Sequence, residues 1–386
     1  MTELVERYLL LGLRLGRHVD GFVDAYYGPP ELAEQVEAEE PVAPAALAAE
    51  AGELAASLDG LDEPRRRWLA AQLEGLSATA ERLDGRPVSY RDEVRRCYGV
   101  QPDPPNEDEL TEAHRRLDEL VPGDGPLAER FQSWRREREL EQDAVLPAIE
   151  GVQAELRART EALFGLPDDE GVAVELVSDE PWAGFNYYLG GLRSRVVINT
   201  DLPIRPERLP VYAAHEIYPG HHTEHAWKES LLVDGRGYLE ESIFLTGTPQ
   251  SLISEGIATT SLESLGEDAE RACAELLAEA GAPYDLGLVR AVREAETPLE
   301  RISHRVALML HEEGRDPEEA RAYALRWSLR TETEVDKMLE FILHPVWRAY
   351  VVVYEVGERL VRSWVAGDPA RYRRLLTEQL STADLL

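Results

Sequence analysis

Apolar residues recur at three- and four-residue spacing through most of this chain, the repeat of helices that each bury one face. Leu9, Leu10, Leu13 and Val19 set the pattern early, and it runs to about residue 165, broken only where turn chemistry intervenes. The breaks are Gly28-Pro29-Pro30, Asp59-Gly60, Asp84-Gly85, the proline-rich run from Gln101 to Asn106, and Gly123-Asp124-Gly125. Between 172 and 200 the pattern changes in kind. Val172-Ala173-Val174-Glu175-Leu176-Val177 and Arg195-Val196-Val197-Ile198-Asn199 are rich in β-branched residues and are separated by Gly190-Gly191, so a small sheet or hairpin is expected there. Helical spacing returns after Pro206 and continues to the end, with breaks near Gly235, Gly247 to Pro249, Gly281 to Pro283, Gly314 and Gly367. The predicted fold is therefore mainly α, a multi-helix chain with a small β-sheet or hairpin at about 172–200. No repeat of solenoid period and no long linker divides it. One domain over 1–386 is expected, with a helical lobe at 1–165 and a second lobe, sheet plus helices, at 166–386.

Composition narrows the partners. The chain has 386 residues and 44% hydrophobic content, enough to bury a full core. Asp plus Glu number 74 against 41 Lys plus Arg, a net charge of -33. That field repels phosphate backbones and anionic lipid, so nucleic acid and membrane are not expected partners. Only Lys228 and Lys337 are lysines; the rest of the positive charge is Arg. Cys97 and Cys273 have no metal-type spacing and read as reduced structural residues. The first residues lack a basic n-region, and Arg14 and Arg17 interrupt their apolar stretch, which predicts an amphipathic helix and a cytoplasmic protein.

Four of the nine histidines fall at 215, 221, 222 and 225. His-Glu followed closely by His is how zinc hydrolases assemble a site, two imidazoles holding the ion and the Glu working on its water. In the usual motif the histidines stand at i and i+4, one above the other on a helix. Here position i+4 from His215 is Pro219. On a straight helix His222 would share the face of His215 but lie about 10 Å farther along the axis, too far for one ion about 2 Å from each ring. The helix must deform between them. Pro219 cannot donate the hydrogen bond to the His215 carbonyl, and Gly220 adopts backbone conformations other residues avoid. A broken turn absorbing two extra residues brings His221 to the ligand position; His222 is the alternate and needs three absorbed. The bland alternative is a helix ending at Tyr218 with surface histidines beyond a Pro-Gly turn.

A catalytic zinc takes a third protein ligand. Glu255, in Ser254-Glu255-Gly256-Ile257-Ala258, is the candidate, because a carboxylate among small and apolar residues is costly unless it is paired. Glu240 and Glu241 are rivals. One Zn²⁺ per chain is expected, with Glu216 as general base for the attacking water. Tyr350, Tyr354, His304, His311 and His344 are the candidate donors to a developing oxyanion. Asn186-Tyr187-Tyr188 or the Arg195–Asn199 run is the candidate strand for an extended substrate, with Tyr188 in contact with it, and Arg193 or Arg195 is the candidate partner for a substrate carboxylate.

The run His215-Glu216-x-Tyr218-Pro219-Gly220-His221-His222 resembles the signature of a bacterial zincin-like family known as domain of unknown function 885. Further similarity lies in Gly16-Arg17-His18-Val19, Asp24-Ala25-Tyr26-Tyr27-Gly28-Pro29-Pro30, Asn199-Thr200-Asp201, Glu255-Gly256-x-Ala258, Leu310-His311-Glu312-Glu313-Gly314 and Tyr354-x-x-Gly357, so that it spans most of the chain. The resemblance implies a helical fold similar to neurolysin-like and carboxypeptidase-like zincins and a zinc-dependent peptidase activity. Carried across, it implies His215, His221 and Glu255 as ligands, Glu216 as base and Tyr354 as transition-state donor. The chain departs from the pattern at Thr223-Glu224, where many members have Leu-Gln, and at Ile257, where they have Trp.

The reading is a zinc metallopeptidase of carboxypeptidase or oligopeptidase type acting on a peptide or small amide. Its competitors are a metal-dependent hydrolase of a non-peptide amide or ester, and a silent zincin-like binding protein. A base retained at Glu216 argues against the last.

Overall fold

Most helices in this chain bury one apolar stripe, and several are capped by a side chain at the N-terminus. In Glu3–Gly16 the Thr2 side chain accepts from the Val5 amide, and Val5, Tyr8, Leu9, Leu11 and Leu15 are buried on one side. The computed structural model describes residues 1–178, 184–201, 204–344 and 347–386. Among them the architecture is mainly helical with two small sheets.

Three apolar cores organise the helices. One gathers residues between Val5 and Ala80 with Ile243 and Leu245; a second joins Ala78–Trp134 to Leu252 and the later helices; a third joins the helix Gln142–Phe164 to residues between Val196 and Leu385. Each core draws side chains from both sides of residue 165, so the helices before and after that point share their interiors.

The run of helices expected up to 165 is interrupted by a short strand, β1 (Val23–Tyr26). The second sheet supplies β2 (Gly171–Val177), β3 (Gly184–Gly190) and β4 (Arg193–Asn199), and β5 (Ile243–Leu245) closes the set as the antiparallel partner of β1. Four residues without alternation carry no strand signal, and β1 exists only because β5, far along the chain, offers it a ladder. The order of the larger sheet is β2-β4-β3, with β4 parallel to β2 and antiparallel to β3. Gly190 and Gly191, both at positive φ, turn β3 into β4. Arg195–Asn199 therefore lies in the central strand, hydrogen-bonded on both edges, and cannot accept a substrate strand. β3 keeps a free edge within this sheet.

The helix Pro249–Ser264 runs through the middle of the molecule, buried on nearly every face. Its hydroxyls bond back to its own carbonyls, Thr260 to Gly256 and Ser261 to Ala258, so its polar side chains are satisfied where no water reaches. It crosses the helix Val353–Val365 at a glycine pair: a Cβ on Gly256 would lie 2.5 Å from the Gly357 carbonyl oxygen, and one on Gly357 would lie 2.5 Å from that of Leu252. This close crossing fixes Glu255, the residue before Gly256.

Candidate metal centre

The helix Leu209–Glu216 does not simply continue into His221–Lys228. The Ile217 amide still reaches back four residues to the Ala213 carbonyl, at 3.0 Å, but the Gly220 amide reaches back six, to Ala214 at 2.9 Å, and Thr223 reaches six to Ile217 at 3.3 Å. Two extra residues are accommodated in the turn, which contains a cis Tyr218–Pro219 peptide. Gly220 is required for a different reason from the one its type suggests. Its φ of -78° is ordinary, but a Cβ there would stand 1.9 Å from the His215 carbonyl oxygen. The two helix ends meet backbone to backbone.

His215, His221 and Glu255 converge as a result, with one ligand atom from each lying within 4.8 Å of the others. Glu255 Oε2 is 3.4 Å from His215 Nε2 and 3.8 Å from His221 Nε2, and the two rings stand edge-on at 4.8 Å between centres. Glu255 is buried; Oε1 accepts from the Tyr350 hydroxyl at 2.8 Å, while Oε2 has no hydrogen bond. Burial acts to raise the Glu255 pKa, yet it is lowered, because His215, His221 and Tyr350 outweigh that effect. Burial likewise acts to lower His215, but Glu255 and Glu216 raise it.

The tautomer of His221 follows from its neighbours. Ser254 Oγ donates to Glu224 Oε2 at 2.6 Å, so it can only accept from His221 Nδ1, at 3.1 Å. That leaves the Nε2 lone pair facing Glu255. Glu224 is in turn held by Lys228 at 2.6 Å, and all three groups are buried.

Glu216 closes the helix beside the cluster, its Oε1 4.0 Å from His215 Nε2 and its backbone carbonyl accepting from Asn186 on β3 at 2.6 Å. Tyr354 is 40% exposed and its ring meets that of Tyr350 edge-on at 5.8 Å. Its phenol is raised well above the usual value, first by desolvation and then by the charges of Glu255 and Glu216. The other donors considered from sequence are engaged: Tyr350 by Glu255, His304 by the Asp103 carbonyl and Glu355, and His311 by the Ile342 carbonyl, while His344 packs against Trp347.

Several residues picked from the sequence lie elsewhere. His222 is fully buried, with Ser194 Oγ 2.9 Å from Nδ1 and Glu170 Oε2 2.9 Å from Nε2, so neither nitrogen is free for an ion. His225 is a core residue against Tyr188 and Phe244, its pKa lowered to about 3 chiefly by burial. Glu240 pairs with Arg65 at 2.6 Å, and Glu241 contacts Gln250. Tyr188 is buried and gives its hydroxyl to Glu229, so it is not a cleft residue. Arg193 donates to the Asp169 carbonyl; Arg195 sits over the Tyr187 ring at 4.7 Å and 3.5 Å from Glu175. These arginines are spent within the sheet.

One residue of the site was not singled out from sequence. Asp24 falls at the irregularity between Val23 and Ala25 in the β1–β5 ladder, the kind of bulge that re-aims a side chain. Its pKa is pushed up to about 7 by burial and then by the charges of Glu255 and Glu216. The run from Asp24 to Pro30 was part of the family resemblance, which was the available signal.

Glu170 holds the broken turn from below. It accepts from Arg157 and the Tyr218 hydroxyl, each at 2.6 Å, and from His222 Nε2–H at 2.9 Å. Burial acts to raise its pKa, but these donors bring it from 4.5 down to about 2. A carboxylate depressed in the folded state stabilises above its unfolded pKa, and that stability is lost as pH falls through the folded value. Thermal melts should therefore show about 3 kcal/mol disappearing between pH 4.5 and 2, a slope that Glu170→Gln should flatten. An unchanged acid slope in the variant would remove Glu170 from this role.

No family model matches the chain, and no curated protein does. Among solved structures it is similar to putative lipoproteins from Colwellia psychrerythraea and Shewanella oneidensis, the latter of unknown function. The Colwellia protein is 16% identical, with a TM-score of 0.56 over 88% of this chain; the chain spans 65% of that protein's length. The Shewanella protein is 12% identical over 89% of this chain and 71% of its own, with a TM-score of 0.49. The first likeness is one of fold alone. No described helix is long and apolar enough to cross a membrane.

Proposed function

We propose that the chain is a zinc-dependent hydrolase of metallopeptidase type. The observation that carries this reading is Glu255 Oε2, a buried carboxylate oxygen without a hydrogen bond, facing the Nε2 atoms of two histidines. A buried carboxylate oxygen left without a donor is costly, and two imidazoles with one carboxylate are a zinc donor set. Zinc bound there would supply Lewis acidity and lower the pKa of a coordinated water.

The chain's own residues do the rest. The Glu216 carboxylate takes the proton of the attacking water and returns it to the leaving nitrogen. The Tyr354 hydroxyl donates to the oxyanion that forms at the scissile carbonyl. Tyr350 and Ser254 orient Glu255 and His221, as outer partners of ligands do. The edge of β3, tied to Glu216 through Asn186, offers backbone groups to an extended peptide.

Protein purified without added zinc is expected to contain about one zinc per chain and to lose peptide hydrolysis on chelation, with recovery when zinc is restored. His222→Ala should keep the metal; His221→Ala should lose it. Hydrolysis that survives complete chelation would sink the proposal.

A further inference from the structure

A cavity of about 240 Å³ lies at the other end of the helix that carries His215, and its walls are unusual for so acidic a chain. Arg135, Arg205, Arg208, Arg293 and Arg330 line it, together with Glu207, Glu296 and Glu300. In this protein most arginines are spent on carboxylates at 2.5 to 3.0 Å, as with Arg14 and Glu39 at 2.8 Å or Arg290 and Glu270 at 2.6 Å. Of the arginines that line the cavity, Arg293 is spent in this way, on Glu270 at 2.7 Å; the other four are not. Arg135 and Arg205 approach carboxylates only at 3.7 and 3.6 Å, and among the described residues Arg208 and Arg330 have no carboxylate within reach. Glu207 and Glu296 offset part of this charge without a close ion pair to any of the four, and the guanidiniums repel one another. Burial first, and then Arg135, Arg208 and Arg138, bring Arg205 from 12.5 down to about 10. A bound anion would relieve this.

We infer that this cavity is a binding pocket for a carboxylate, and that it anchors the anionic end of a substrate whose scissile bond lies at the His215–His221–Glu255 cluster. Two observations choose the ligand. The volume is below the roughly 300–1,000 Å³ of pockets that enclose whole drug-sized molecules, which suits a terminal group. Glu207, Glu296 and Glu300 in the same lining oppose a multiply charged phosphate more strongly than a single carboxylate.

Position ties the pocket to the cluster. Arg208 immediately precedes the helix Leu209–Glu216, so it lies seven residues and about 10 Å before His215, the span of about three extended residues. Its charge acts on His215 and on Glu296 and Glu300. The substrate part of this inference rests on the hydrolase reading; the pocket part does not.

Calorimetric titration of the full chain with N-acetyl-alanyl-alanine and with its C-terminal amide tests the pocket without requiring turnover. The free acid is expected to bind at least about tenfold more tightly than the amide, the worth of a charge-assisted hydrogen bond. That preference should fall below about threefold in Arg205→Gln and in Arg330→Gln, with amide binding unchanged. Arg330 is exposed, so its variant keeps the fold even if Arg205→Gln does not. The preference should persist in His215→Ala. Equal binding of acid and amide to the wild type, or a preference unaffected in Arg330→Gln, would each overturn the pocket. Acid preference without zinc-dependent hydrolysis would leave the pocket standing and remove the hydrolase reading instead.

Discussion

Gly220→Ala is expected to abolish zinc binding and to destabilise the fold by more than about 2 kcal/mol, although a single methyl is the only change. The new Cβ would stand 1.9 Å from the His215 carbonyl oxygen, 2.5 Å from that of Ala214 and 2.6 Å from the His215 carbonyl carbon. All three are backbone atoms, so no rotamer change relieves the clash. Nor can the turn retreat, because the Gly220 amide is itself bonded to the Ala214 carbonyl. The segments must separate, and separation moves His221 away from His215. Gly52→Ala makes the control, since Gly52 lies inside the helix Pro44–Ala55 with nothing near its missing Cβ. There the same change should gain up to about 1 kcal/mol through helix propensity. Thermal melts and zinc titrations of both variants check this; wild-type zinc affinity in Gly220→Ala would disprove the close-approach argument.

The same residue shows how far the sequence could be read. Counting from His215 to Pro219 and Gly220 was enough to require a broken helix that absorbs two residues, because helix geometry is local and rigid. The reason for the glycine was not legible, since the atoms it must avoid meet it only once the chain has turned back. The choice between His221 and His222 was open for a related reason. It depends on Glu170 and Ser194, which come from outside the motif and occupy both nitrogens of His222.

Helices and the approximate place of the sheet could be read from spacing. Strand order could not: Arg195–Asn199 looks like any β-branched run until β2 and β3 take its two edges. Tyr188 is turned instead into the interior toward Glu229, and Arg195 lies over the Tyr187 ring, neither of which the local run shows. Glu255 stood out as a carboxylate among small and apolar residues. Tyr350, which orients it, and Asp24, whose pKa it raises, come from 95 residues after it and from a strand near the start of the chain. Tyr350 stood out only as one of several candidate donors, and Asp24 only within the family resemblance.

Glu216→Gln is expected to lower kcat by roughly 10²–10⁴-fold while leaving zinc content and melting temperature close to wild type. Gln has the shape of Glu but cannot accept a proton, so a loss confined to turnover isolates the base from the ligands. Glu216 suits such a test because its carboxylate makes no hydrogen bond among the described residues and lies 4.0 Å from His215 Nε2. Nothing structural should therefore be lost with its charge. The substitution should also leave an electrostatic trace that a bystander would not. Asp24 is raised to about 7 by burial first, then by Glu255 and Glu216, so removing the Glu216 charge should move the Asp24 titration back toward the ordinary carboxylate value of 3.8. Carboxyl titration followed by NMR reads that shift independently of any substrate. A variant that keeps zinc, shifts Asp24 and hydrolyses at the wild-type rate would show that Glu216 faces the cleft without acting as its base. Lost turnover together with the Asp24 shift and intact zinc would assign the proton transfer to this residue.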